Sequence, residues 1–83
     1  MGSKENNEKQ IEKNKFLLEV GERIRILRQE KGISQEELGR RCKFPKDKQA
    51  IERVENGRYN VSAFIYKEIA EALEVKLPKL FEA

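Results

Sequence analysis

The stretch Ser34-Gln35-Glu36-Glu37-Leu38-Gly39-Arg40-Arg41-Cys42-Lys43-Phe44-Pro45-Lys46-Asp47-Lys48-Gln49-Ala50-Ile51-Glu52-Arg53-Val54-Glu55-Asn56-Gly57 decides the fold. Its first four residues have the form of a capping box: Ser34 can accept from the amide of Glu37, and the Glu37 carboxylate can reach back. A short helix then carries Leu38 and Cys42 four residues apart, on one face. Phe44-Pro45 breaks it. A second helix opens at Pro45 or Asp47, buries Ala50, Ile51 and Val54, and ends at Asn56-Gly57. Two short helices joined by a turn form a helix-turn-helix layout, in which the second helix enters the major groove of DNA.

Periodicity on either side completes an all-α chain. Upstream, Ile11, Phe16, Leu17, Val20, Ile24 and Leu27 recur at helical steps until Gly32, with Gly21 marking a kink or a fresh start. Downstream, a fourth helix to about Glu74 turns Ile65, Tyr66, Ile69, Ala70 and Leu73 inward. Leu77-Pro78 opens a last short turn carrying Leu80 and Phe81. The expectation is one domain of five helices over residues 16–83, preceded at residues 1–15 by a polar, partly disordered arm.

The charge pattern points to a polyanion. Of the net +3, residues 40–58 contribute an excess of four, with seven basic side chains against three acidic ones. The rest of the chain is balanced or slightly acidic. Such a local excess is the electrostatic footprint of a nucleic-acid partner. With Ile51 and Val54 facing inward, Lys48, Gln49, Glu52 and Arg53 face out. Lys, Gln and Arg are base-edge readers: Arg or Lys on guanine, Gln on adenine. Glu52 accepts from cytosine, pairs with a neighbour, or repels phosphate; the sequence leaves these open. Arg40, Arg41 and Lys43, at the end of the first short helix, either complement its dipole or meet phosphate.

Three segments in order resemble the phage-repressor and Cro-like (XRE-type) helix-turn-helix family. They are Gly32-Ile33-Ser34-Gln35-Glu36-Glu37-Leu38, then Ile51-Glu52-Arg53-Val54-Glu55-Asn56-Gly57, then Ile69-Ala70-Glu71-Ala72-Leu73-Glu74-Val75 with Leu80-Phe81. The resemblance covers about residues 20–82. It implies a five-helix, lambda-repressor-like domain that binds operator DNA, usually as a homodimer. It further implies base contacts from Lys48, Gln49 and Arg53, phosphate contacts from Gln35, Asn56, Arg58 and Tyr59, and a structural clamp between Arg28 and Glu55. The chain departs from the family in a turn two residues longer than usual, in Lys43 where glycine is common, and in Val61 where proline is common. If Pro45 is the first helical residue, Lys46 also reaches the DNA.

Other classes fare worse. With no histidine, no metal-ligand spacing and no phosphate-cradling glycine loop, neither an enzyme nor a metal or cofactor site is indicated. Glu36 and Glu37 are adjacent on a helix and diverge. The single cysteine, Cys42, excludes an internal disulfide and reads as core filler; it suits a reducing cytoplasm. No apolar run is long enough to span a bilayer, and no small-molecule pocket is evident. Phe64 stands where exposure is expected and suggests a subunit interface. The reading is thus a transcriptional regulator binding double-stranded DNA at a pseudo-palindromic operator. The alternative is a protein-interaction module on the same fold, using Ile11, Phe16 and Leu17.

Overall fold

A computed structural model describes residues 3–82. Four α-helices follow one another: α1 (Ser3–Lys31), α2 (Gln35–Arg41), α3 (Lys48–Glu55) and α4 (Ala63–Ala72), with a closing 3-10 helix at Leu77–Phe81. There is no strand among the described residues. The last short helix of the sequence reading is thus the tighter 3-10 form, opened by Pro78 near its start.

The first helix takes in the described part of the N-terminal arm. The helix begins at Ser3 and runs unbroken through residues 1–15 as far as they are described. Its Lys, Glu and Gln residues are good helix formers, and continuity with the packed half removes the nucleation cost. At about 1.5 Å per residue, α1 accounts for the 46 Å longest dimension, against 24 and 19 Å across. Gly21 does not restart it: one helix runs from Ser3 to Lys31. A Cβ there would collide with the backbone carbonyls of Val54 and Glu55, at the end of α3. The glycine permits that close approach, and the helix tolerates it in its interior.

Most of the apolar set read from periodicity forms the core, while Ile11, Phe16 and Phe81 of that set stay exposed. Val20, Ile24 and Leu27 of α1 meet Leu38, Cys42, Ile51, Val54, Tyr66, Ile69, Ala70, Leu73 and Leu80. Burial pushes the Cys42 thiol above its ordinary pKa, as befits an apolar filler. Helix ends repeat one device. After α1, α3 and α4, the chain closes with paired bonds that run back five and three residues: Ile33 to Arg28 with Gly32 to Gln29, Arg58 to Arg53 with Gly57 to Val54, and Val75 to Ala70 with Glu74 to Glu71. This is the Schellman motif, which needs a left-handed residue at its centre. Gly32 and Gly57 supply it without strain, at φ 74° and 65°; Glu74, at φ 62°, does not have that freedom. α4 itself ends at Ala72, two residues short of the expected Glu74.

Candidate nucleic-acid interface

The start of α3 is fixed by Asp47. Its carboxylate accepts from the amide of Ala50 at 2.8 Å, a side-chain N-cap, so Lys48 is the first helical residue and Pro45 lies in the turn. At one turn per 3.6 residues, the buried Ile51, Val54 and Glu55 define the inner face. Lys48, Gln49, Glu52, Arg53 and the C-cap residue Asn56 lie on the exposed one. Among the described residues, none of Lys48, Gln49, Glu52 and Arg53 takes part in an ion pair within the protein. Three of the four carry the long donor side chains that base edges and phosphates require.

Behind this stripe, Glu55 anchors α3 to the helices before it. Arg28 donates to it twice, Nε to Oε2 at 2.6 Å and Nη2 to Oε1 at 3.1 Å. Its third nitrogen, Nη1, donates to the carbonyl of Ile33 at 3.0 Å. Gln35 Nε2 adds a further bond to Glu55 Oε1 at 3.0 Å. The two charged side chains are 12% and 2% exposed, so this is a buried, bidentate pair whose carboxylate accepts three hydrogen bonds. It joins α1, the turn after it, the first residue of α2 and the last of α3. The expected partners Arg28 and Glu55 are brought together. Gln35, expected on phosphate, has its amide nitrogen committed to the same carboxylate.

A second buried carboxylate holds the other end of the motif. Glu68 of α4 pairs with Lys46 and accepts from the backbone amide of Phe44 at 3.2 Å. Lys46 Nζ also donates to the carbonyl of Phe44 at 3.1 Å. The hydrogen bond from Lys46 holds the Glu68 carboxyl below its ordinary pKa. The Lys46 amide donates to the carbonyl of Gly39 at 3.0 Å, and a Cβ on Gly39 would collide with the carbonyl of Lys46. The long turn is therefore packed down on α2 and latched to α4. Lys46, expected on DNA, is engaged within the protein instead. Its side chain is 14% exposed and turned inward, because Asp47, not Pro45, opens the helix.

The remaining basic residues stay at the surface. Arg40 and Arg41 donate to Glu37 at 2.7 and 2.9 Å, and these bonds hold the Glu37 carboxyl below its ordinary pKa. Ser34 Oγ accepts from the Glu37 amide at 3.0 Å. The capping box is thus half realised, its acid turned to the arginines. Exposed pairs of this kind are weak, so both guanidiniums can be redirected to a phosphate. Lys43, Asn56 and Arg58 are exposed as well. Phe44 of the turn and Phe64 of α4 set their half-exposed rings 6.1 Å apart. The sequence reading missed this pair and the Glu68 latch. The longer turn, noted there as a departure, was the available signal.

The comparisons with known proteins identify the family. A helix-turn-helix family model matches residues 24–80, and the chain belongs to that family, the XRE-type DNA-binding transcriptional regulators. Among solved structures it is similar to the restriction-modification controller protein C.AhdI from Aeromonas hydrophila, at 35% identity and a TM-score of 0.75, over 82% of this chain and 96% of that one. It is also similar to the hypothetical transcription factor NHTF from Neisseria, at 31% identity and a TM-score of 0.73, over 81% of this chain and 75% of that one. Comparison with curated protein sequences returns no significant match. Among the described residues, no helix is long and apolar enough to cross a membrane.

Proposed function

We propose that this regulator binds a pseudo-palindromic operator as a homodimer, with α3 of each copy in the major groove. Lys48, Gln49 and Arg53 read base edges there. Arg40, Arg41, Lys43, Asn56 and Arg58 hold the phosphate backbone around the groove. The observation that carries the reading is the exposed stripe on α3, unpaired within the protein and seated from behind by the Arg28–Glu55 clamp. Such a helix presents readers without first having to break internal contacts. Non-specific attraction of the basic segment brings the protein to DNA, and the stripe then selects the site. Two copies related by a two-fold axis read half-sites about one helical turn apart. The similarity to a restriction-modification controller over nearly its whole length favours the same kind of regulatory task.

The test is selection from a randomised duplex library by the full chain, followed by sequencing. The expected result is an enriched inverted repeat. Arg53→Ala or Gln49→Ala then relaxes one position of each half-site and costs about 1–3 kcal/mol, whereas Arg58→Ala weakens all sequences alike and flattens the salt dependence. No enrichment at low salt would sink the operator reading and favour the protein-interaction alternative.

A further inference from the structure

The reading face of α3 contains one residue that the proposed function leaves unused. Glu52 is exposed and follows Lys48 by four residues. That is the spacing and order at which Lys67 and Glu71 of α4 pair at 2.8 Å. Glu52 makes no such pair. It stands in the midst of the exposed stripe, three residues after Gln49, beside Arg53, and four before Asn56.

A carboxylate facing a duplex is costly unless something there donates to it. Phosphates repel it, and an ionised carboxylate can only accept hydrogen bonds. In the major groove, guanine offers two acceptors, and thymine an acceptor and a methyl group. Adenine offers a donor next to an acceptor. Cytosine alone offers its N4 amino group with no acceptor of its own beside it. The requirement for a donor thus selects cytosine and rejects the other three, adenine least strongly.

We infer that Glu52 is a specificity-determining residue that accepts from the N4 amino group of a cytosine in each operator half-site. This assignment rests on the operator reading above. It makes α3 a mixed reader, with donors at Lys48, Gln49 and Arg53 and one acceptor among them. The carboxylate also weakens binding to every sequence lacking cytosine at that position, so it sharpens discrimination while lowering non-specific affinity.

The test runs the same randomised-duplex selection on the wild-type chain, Glu52→Gln and Glu52→Ala, with thermal melts to show that all three fold. Binding of a non-specific duplex is titrated alongside. The wild type is expected to enrich cytosine at one position in each half of the repeat. Glu52→Gln moves that position towards adenine, which a carboxamide can both donate to and accept from. Glu52→Ala lowers the cytosine preference there by about tenfold, and both variants bind the non-specific duplex more tightly. Base profiles that coincide for all three proteins would overturn the assignment and leave Glu52 a purely repulsive charge, as would changes spread evenly over every position. If the wild type enriches no sequence at all, the operator reading itself falls. That outcome is distinct from an intact repeat whose bases ignore Glu52.

Discussion

The two ends of the helix-turn-helix are each held by a buried carboxylate, but the two holds are built differently. At the end of α3, Glu55 meets a planar guanidinium that donates twice and is itself fixed by the Ile33 carbonyl. Before α3, Glu68 meets a lysine, a point charge on a flexible stem, plus one backbone amide. The first joins helix to helix. The second ties down a turn. Each region also has its glycine where backbones touch, Gly21 under the end of α3 and Gly39 under the turn. The difference shows what each hold is for: the clamp fixes the orientation of the reading helix, and the latch fixes the path of a long turn into its N-cap.

Arg28→Ala should have the largest effect. It leaves Glu55 buried with only the Gln35 amide, and the loss of a partner from a buried pair costs about 3–5 kcal/mol. Urea denaturation measures it, and a loss below about 1 kcal/mol would show that the clamp is not the stronger hold. Gly39→Ala comes next. The added methyl meets the Lys46 carbonyl, and overpacking of this kind costs about 1–3 kcal/mol; the melting temperature should fall although Gly39 lies inside a helix, where alanine is intrinsically favoured. A rise would mean that the turn is free to move off α2.

Lys46→Met sharpens the contrast further. It should lower the melting temperature less than Arg28→Ala does, because only the turn is released. Acid provides an independent reading of the latch. The Glu68 carboxyl is held below its ordinary pKa in the folded chain, so its stabilising contribution is full above the ordinary value and is lost as pH falls through the folded one. Stability of the wild type measured between about pH 3 and pH 6 should therefore fall more steeply than that of Glu68→Gln. Parallel curves would contradict the pairing. The smallest effect is expected outside both holds. Glu74→Gly relieves a left-handed residue at a cost of about 1–2 kcal/mol, but loses the exposed bond to Lys31 and gains unfolded-chain entropy. A net gain of at most about 1 kcal/mol is expected by denaturation.

The clamp was legible in the sequence and the latch was not, for a physical reason. The resemblance to the helix-turn-helix family implied the pairing of Arg28 with Glu55, the glutamate just before Asn56-Gly57. Glu68 borders the inward stripe of α4, where an acid reads as solvent-facing; only the folded-back turn covers it. The same turn hid the inward placement of Lys46, since Pro45 and Asp47 compete as helix starts and only the bond donated by the Ala50 amide to the Asp47 carboxylate decides between them. The base-reading candidates Lys48, Gln49 and Arg53 followed from the spacing of Ile51 and Val54, and the structure leaves all three exposed. Gln35 had an equally clear position but a partner, Glu55, that lies twenty residues away.

By itself the sequence determined the helical class, the order of the elements, the apolar core and the outward stripe of α3. All of these depend on periodicity and end signals that act within a few residues. The tertiary structure alone decided that α1 runs unbroken through Gly21, that Glu68 is buried and that Lys46 turns inward. Each of these is settled by a contact between distant segments, where desolvation and backbone approach outweigh local preference.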